Sequence, residues 1–266
     1  MKLFGILNIT EDSFSDGGDF FSIADAIRKI DSLIEDGADV IDVGAQSSNI
    51  NSKQISEKEE WSRLEQIIQY LKNKKIQISV DTYKPKVIER CILEEVNYLI
   101  NINGFENPKT ISILKKYKNN LPKLICMYSH NLGDIAKLNS NFNTENIVDS
   151  ILEFFFRKSI EFKLLGIADE QIIFDTGMGF FLGEDPMLSI EVLKNINKIQ
   201  KDFPSLMISL SRKSFIGALL GGLVPKEREA GSLALEIYLY EKQIPFLRTH
   251  NIKQIKQAII LRNLLY

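Results

Sequence analysis

Apolar and polar positions alternate along the chain in two rhythms. Short apolar runs of strand length are separated by longer segments in which apolar residues recur every three to four positions, as on one face of a helix. This alternation is typical of βα units. It predicts eight strands, at residues 3–7, 39–44, 76–80, 98–102, 123–127, 171–174, 206–210 and 246–249.

Local signals mark where several of the helices begin and end. Ser22 can cap a first helix that ends at Gly37, and Ser56 with Glu59 resembles a capping box. Pro85 is expected in the first turn of a later helix, where proline is tolerated. Two longer helices are predicted at about residues 144–165 and 226–242.

The order of these elements indicates the fold class. Eight βα units without a linker rich in Pro, Ser or Gly predict an α/β protein, a single (β/α)8 TIM-barrel domain over residues 1–266. A doubly wound open sheet is the alternative, but no GxGxxG motif follows the first strand.

Polar and ionisable residues collect where the predicted strands end. In a barrel these strand ends share one face, which is where barrel enzymes place their active sites. The residues at these ends are Asn8, Ser47 to Asn49, Asp81, Asn101, Asn103, Asp175, Ser211 to Lys213, Arg248 and His250.

The types of these side chains indicate a ligand class. Asp81 and Asp175 follow buried strands, so they either cap the next helices or face a ligand with hydrogen-bond donors. Arg248 and His250, two residues apart on a strand, would form a cationic fork for a phosphate or pyrophosphate, and residues 211–214 at a helix start also suit an anion. From the residues alone we expect an enzyme acting on a phosphorylated small molecule, with a divalent metal near Asn8; the reaction remains open.

Composition excludes several other classes. The net charge of -2 provides no broad basic field, which argues against nucleic-acid binding. No apolar run is long enough to cross a bilayer, and the N-terminus lacks the pattern of a signal peptide. Cys91 and Cys126 lie far apart, which indicates a reducing compartment and no structural zinc. We therefore expect a cytoplasmic protein in which both cysteines, His130 and Trp61 are structural.

Six motifs, in order over nearly the whole chain, resemble the dihydropteroate synthase family. The resemblance implies a barrel transferase of folate biosynthesis that joins 6-hydroxymethyl-7,8-dihydropterin pyrophosphate to p-aminobenzoate and releases pyrophosphate. The motifs are GILNITEDSFSDGG at 5–18, DGADVIDVGAQSSN at 36–49, ISVDTYKPKV at 78–87, IIFDTGMGFF at 172–181, SRKSFIG at 211–217 and RTH at 248–250.

The same resemblance implies roles for individual residues. Asn8 would hold Mg²⁺ and pyrophosphate, with Arg248 and His250 on the same phosphates. Asp81, Asp175 and Lys213 would be catalytic, the carboxylates facing the pterin and Lys213 contacting both substrates. Further implied substrate contacts are Ser48, Asn101, Met127, Phe180 and Ser211. The resemblance also implies a homodimer, and a flap from Thr10 to Phe21 that closes over the substrates.

Several positions depart from the usual family pattern. Ser47-Ser48-Asn49 and the longer segment Phe180 to Gly183 look like the sulfonamide-insensitive branch, in which an added aromatic ring would exclude bulkier mimics of p-aminobenzoate. Ile100 replaces an asparagine that contacts the pterin, and Tyr128 replaces a histidine. Two alternatives therefore stay open: a pterin-binding protein without catalysis, and a methyl-folate-binding barrel that would leave SRKS and RTH without a purpose.

Overall fold

The eight strands form one closed parallel barrel in the computed structural model, in the order of the sequence. The structure describes residues 1–9, 23–46, 53–131, 133, 136 and 142–265. β8 pairs with β1 and closes the barrel, which confirms the predicted (β/α)8 fold. The strands are β1 Lys2–Asn8, β2 Val40–Gly44, β3 Gln77–Asp81, β4 Tyr98–Asn101, β5 Lys123–Met127, β6 Ile172–Asp175, β7 Leu206–Ile208 and β8 Phe246–Thr249.

Helices follow the strands and surround the barrel. Those in the described residues are α1 Ile23–Glu35, α2 Glu57–Asn73, α3 Pro85–Leu93, α4 Pro108–Lys116, α5 Ile147–Leu164, α6 Pro186–Lys194, α7 Ile196–Asp202, α8 Ser214–Leu219, α9 Glu229–Glu241 and α10 Ile252–Leu265. None of these helices combines the length and apolar character needed to span a membrane.

The structure shows some of the predicted helix start and end signals in full and one of them in part. Gly37, at φ +89°, follows α1, and Pro85 is the first residue of α3. The Ser56 hydroxyl accepts a hydrogen bond from Glu59 N, but the Glu59 carboxylate pairs with Arg63. The described contacts therefore show the serine half of the predicted capping box. The predicted cap Ser22 lies outside the described residues.

Two strands end earlier than predicted, because the chain turns where its apolar run continues. β4 ends at Asn101, whose side-chain oxygen accepts a hydrogen bond from Phe105 N at 2.7 Å. β7 ends at Ile208, and Leu210 O then accepts a turn bond from Lys213 N. The helix predicted at 226–242 begins later, at Glu229, after a 3-10 turn at Pro225–Glu227.

Alternate residues of each strand divide the core into two layers. The larger layer fills the space between barrel and helices and contains Trp61, Cys91 and Cys126; both cysteines are free. A smaller apolar cluster fills the barrel interior, formed by Phe4, Val40, Tyr98, Ile100, Ile125, Ile173 and Met207. The polar side chains described next lie toward the carboxyl ends of the same strands.

Candidate active site

Arg248 connects two carboxylates at the carboxyl end of the barrel. Its Nε lies 2.6 Å from Asp42 Oδ2 and its Nη2 lies 3.0 Å from Asp81 Oδ2. Asp42 is fully buried, and the Arg248 side chain is 13% exposed. Burial acts to lower the pKa of Arg248, but the two carboxylates outweigh it, so the guanidinium stays charged.

Asp175 is held by two donors at the end of β6. Its Oδ1 accepts from Gly177 N at 2.8 Å, and its Oδ2 accepts from the Ser209 hydroxyl at 2.9 Å. Burial raises the pKa of Asp175, while both hydrogen bonds and the nearby Lys213 and Arg248 oppose that rise. The carboxylate therefore has a fixed orientation, since each oxygen has a donor.

The turn that supplies this amide requires glycine. Gly177 has φ +64°, and a Cβ at this position would lie 2.3 Å from the carbonyl oxygen of Tyr128. Any other residue would have to move the backbone that donates to Asp175. The absence of a side chain at residue 177 is therefore a requirement of the Asp175 geometry.

Lys213 and Asp81 have perturbed pKa values for related reasons. Burial and the Arg248 charge lower the pKa of Lys213 to about 8, although Asp175 and Asp81 act in the opposite direction. Burial raises the pKa of Asp81 to about 6 against the effect of Arg248, and Asp42 adds to the rise. Perturbed groups of opposite charge at a barrel mouth are typical of an active site.

An apolar cluster borders these charges. Phe181 packs there with Tyr83, Ile102, Met127 and Ala136, and Phe180 packs against the cluster from a more exposed position. The Lys213 ammonium lies 4.6 Å from the centroid of the Phe181 ring. The inserted aromatic that meets a charged site residue is thus Phe181, whereas the sequence had singled out Phe180.

His250 follows β8, and the cationic fork that the sequence predicts for it with Arg248 stays a prediction. Burial and the charges of Arg212, Arg248 and Lys213 lower the pKa of His250 to about 3, so the ring is neutral. Its Nδ1 lies 3.1 Å from the Ser211 hydroxyl. Arg248 therefore carries a positive charge here, and the neutral His250 ring offers a hydrogen bond.

Asn8 and Asn101, which were also expected at the site, differ in their exposure to solvent. Asn8 is exposed at the end of β1, and its Oδ1 lies near Gly44. Asn101 is buried, with its amide group donating to Thr82 O and its oxygen accepting from Phe105 N, so it organises the backbone after β4. Ser47 to Asn49, including Ser48, and the expected flap at Thr10 to Phe21 lie outside the described residues.

Ile100 and Tyr128, the two replacements of an expected asparagine and histidine, face opposite sides of the barrel wall. Ile100 lies in the interior cluster and is paired in register with Asp81, so an apolar group stands beside that carboxylate. The Tyr128 ring packs outward against Phe154 of α5, with centroids 5.4 Å apart. Tyr128 therefore belongs to the helix-packing layer.

Sequence reasoning missed Asp42, Ser209 and Phe181 as site residues. Asp42 carried a signal, because it is a carboxylate in the middle of a buried apolar strand and shares the inward parity of Val40 and Gly44. Ser209 has the same inward parity as Met207. Neither signal identifies a partner, since Arg248 and Asp175 lie far away in sequence.

The carboxyl end of the (β/α)8 barrel holds fixed carboxylates and two cationic side chains, and an apolar cluster with aromatic rings borders them. This arrangement is that of a barrel enzyme with a small, polar substrate. The chain belongs to the pterin binding enzyme family, which matches residues 4–250. It is 44% identical to the dihydropteroate synthase type-3 of Escherichia coli over 260 residues, 97% of either chain.

Solved structures agree with this assignment. A dihydropteroate synthase from Clostridium difficile, crystallised in the presence of pteroic acid, superposes with a TM-score of 0.85 at 30% identity, covering 100% of this chain and 96% of that one. The enzyme from Anaplasma phagocytophilum with bound 6-hydroxymethylpterin-monophosphate gives a TM-score of 0.82 at 32% identity, with coverage of 100% and 99%.

Proposed function

We propose that this protein is a dihydropteroate synthase, which joins 6-hydroxymethyl-7,8-dihydropterin pyrophosphate to p-aminobenzoate and releases pyrophosphate. The observation that carries the proposal is the meeting of Asp81, Asp175, Lys213 and Arg248 at one end of the barrel. The 44% identity to a dihydropteroate synthase over 97% of the chain supports the same reaction.

The fixed Asp175 carboxylate suits recognition of the pterin ring. Its two oxygens each receive one donor from the protein and keep lone pairs for the amino and ring N–H groups of a pterin. Lys213 would donate to the pterin carbonyl and remains close to the Phe181 ring. Met127 is paired in register with Asp175 and supplies an apolar wall at the same level.

Charge changes during the reaction match the charges of the site. In a dissociative reaction, pyrophosphate leaves first and a delocalised pterin cation is then trapped by the arylamine. Arg248 is charged, and its Nη1 makes no hydrogen bond within the described residues, so it can face the departing phosphates. The Asp81 and Asp175 carboxylates would offset positive charge on the pterin.

The residues present are compatible with Mg²⁺ bound through the substrate. Among the described residues, no three His, Cys, Asp or Glu side chains come together as a metal cage. Mg²⁺ usually keeps several waters and binds with substrate phosphates and a few oxygen ligands, so the exposed Asn8 amide oxygen fits such a site. Bound there, the ion would neutralise charge on the leaving pyrophosphate.

A turnover assay tests the function directly. Purified protein with both substrates and Mg²⁺ should form dihydropteroate and release pyrophosphate, and Asp175→Asn should lower kcat/KM by about a hundredfold or more because a neutral amide cannot offset the pterin charge. Asp149→Asn, which removes only an exposed ion pair with Lys198, is the matched control. Absence of turnover in the unmodified protein at high enzyme concentration would refute the proposal.

A catalytically inactive pterin-binding protein is the second candidate. The observation in its favour is Ile100, which places an apolar side chain beside Asp81 where the family has an asparagine. Calorimetry that shows pterin binding by protein without turnover would support it, and Ile100→Asn should then recover activity.

We further propose that Phe181 lowers affinity for sulfonamides. It shares an apolar cluster with Met127 and lies 4.6 Å from the Lys213 ammonium, so its ring takes up space beside residues expected to contact p-aminobenzoate. Phe181→Ala should lower the inhibition constant of sulfamethoxazole about tenfold or more, because a bulky mimic gains room. Phe156→Ala, an exposed phenylalanine of α5, is the control; equal inhibition of both variants would contradict the assignment.

We also propose a cytoplasmic homodimer. The two cysteines are buried and free, as expected in a reducing compartment, and α10 exposes Ile260, Leu261 and Leu264 on one face. A second copy of the chain would cover this face. Light scattering should show a dimer that Leu261→Glu dissociates and that Ile160→Glu, at an equally exposed position of α5, does not; a monomeric unmodified protein would exclude the dimer.

A further inference from the structure

Glu236 is a buried carboxyl group that the proposed reaction does not use. It lies on α9 behind the barrel end, is 1% exposed, and its Oε1 lies 2.6 Å from the Thr249 hydroxyl. Burial raises the pKa of Glu236 to about 7 against the effect of that hydrogen bond. A buried carboxyl without a cation pays a desolvation penalty, so its role needs an explanation.

A continuous chain of side chains links Glu236 to His250. The Thr249 hydroxyl lies 3.4 Å from the Ser211 hydroxyl, which lies 3.1 Å from His250 Nδ1. Thr249 is fully buried and Ser211 nearly so. On the other side of the ring, Nε2 makes no hydrogen bond within the described residues. The four residues form a relay from the buried carboxyl to the ring of a partly exposed histidine.

Two backbone amides restrict how hydrogens can be placed in this relay. Asn251 N donates to the Thr249 hydroxyl at 3.2 Å, and His250 N donates to the Ser211 hydroxyl at 3.3 Å. Each hydroxyl is then left with one hydrogen to donate and one lone pair to accept. Two arrangements satisfy every group, and they run in opposite directions.

In the first arrangement Glu236 is protonated. Its O–H donates to Thr249, Thr249 donates to Ser211, and Ser211 donates to His250 Nδ1, so the ring proton sits on Nε2. In the second arrangement Glu236 is ionised and accepts from Thr249, Thr249 accepts from Ser211, and Ser211 accepts from Nδ1–H. Conversion of the first into the second releases one proton at Nε2, while the remaining protons each move one place along the relay.

We propose that Glu236 is a positioning residue that sets, through Thr249 and Ser211, which ring nitrogen of His250 carries the proton. With the proton on Nε2, this nitrogen can donate a hydrogen bond to an anion. With the proton on Nδ1, Nε2 is only an acceptor, which disfavours an anion beside it. The link to pyrophosphate rests on the proposed function, whereas the tautomer does not.

The surrounding charges act on the two ends of the relay differently. Arg212, Lys213, Arg248 and Lys29 all disfavour a charged His250, so the ring stays neutral while its tautomer changes. Near Glu236 the charged groups of its own helix and the preceding segment are engaged elsewhere. Glu229 pairs with Arg212, Arg228 donates to Leu223 O and Arg212 O, and Glu241 pairs with Arg262.

Nitrogen-15 spectra of labelled histidine test the relay without any substrate. The chain has only two histidines, so His130→Gln assigns the signals. Between about pH 6 and about pH 8.5 the unmodified protein should change from the Nε2–H to the Nδ1–H tautomer. Glu236→Gln should show no change of tautomer with pH, because its amide does not titrate, and Glu241→Gln should behave as the unmodified protein.

A second variant and a binding measurement complete the test. Thr249→Val interrupts the relay and should remove the pH dependence, whereas Thr249→Ser should keep it. Over the same pH range, affinity for inorganic pyrophosphate should fall about tenfold more in the unmodified protein than in Glu236→Gln, which corresponds to about 1.4 kcal/mol. A tautomer that does not change with pH, or that changes equally in Glu236→Gln, would overturn the relay even if turnover is normal. Absent turnover with a switching tautomer would instead refute the proposed function.

Discussion

Replacement of Asp42 tests the charge arrangement most sharply, because Asp42 is the fully buried partner of Arg248. Asp42→Asn keeps an oxygen that can accept from Nε but removes a negative charge. A hydrogen bond to a charged group is worth about 1.5–3 kcal/mol. The asparagine keeps such a bond to the guanidinium but loses the attraction between opposite charges, so we expect a loss of about 1–2 kcal/mol in the free energy of unfolding. Asp42→Leu should cost about 3 kcal/mol, at the lower end for a broken buried pair, because Asp81 still faces the guanidinium.

The same change should alter the pH dependence of activity. Asp42 raises the pKa of Asp81 and Arg248 lowers it. In Asp42→Asn the first effect is lost and Arg248 is shared with one carboxylate only, so both changes lower the pKa of Asp81 from about 6. The ionised form then persists to lower pH, and the acid limb of the kcat/KM profile should move to lower pH.

Urea unfolding and pH profiles of kcat/KM measure the two effects separately. Asp149→Asn removes an exposed ion pair and should change stability by less than about 1 kcal/mol. An Asp42→Leu protein as stable as the unmodified one would show that the Asp42–Arg248 pair does not stabilise the barrel. An acid limb that moves to higher pH in Asp42→Asn would refute the electrostatic argument for Asp81.

Three further results are expected. Lys213 loses its charge as pH rises through about 8, so kcat/KM should fall above that pH, and a profile that stays flat to higher pH would contradict the role of its charge. Gly177→Ala should lower the melting temperature and kcat/KM together, because φ at this residue is +64° and the new Cβ would meet Tyr128 O. The expected loss in the free energy of unfolding is at least about 2 kcal/mol, and an unchanged melting temperature would mean that the turn adapts. Tyr128→Phe should leave kcat/KM within about twofold, since the ring packs against Phe154; a tenfold loss would place the hydroxyl in the reaction.

Much of the fold follows from local patterns. The apolar runs identify all eight strands to within a few residues, because a strand buried on both faces of a parallel barrel must be apolar along its length. Helix ends such as Gly37 and Pro85 were predictable because one residue's allowed backbone geometry decides them. The ends of β4 and β7 were not, since hydrogen bonds of later residues end those strands.

The candidate site divides in the same way. The sequence by itself determined that Asp81, Asp175, Lys213 and Arg248 stand at strand ends, because strand order and parity place them on one face. Only the tertiary structure decided their partners. Arg248 meets Asp42 and Asp81 across 206 and 167 residues of sequence, and no local pattern encodes such a pairing.

His250 shows the physical reason for this division. As a residue in a sequence it is a titratable cation near neutral pH, and only its burial among Arg212, Lys213 and Arg248 makes it neutral. Glu236 is likewise one of many helical glutamates until the fold brings it within 2.6 Å of Thr249. The sequence determines which chemical groups reach the barrel end, whereas desolvation and the charges of distant residues decide the state in which each group works.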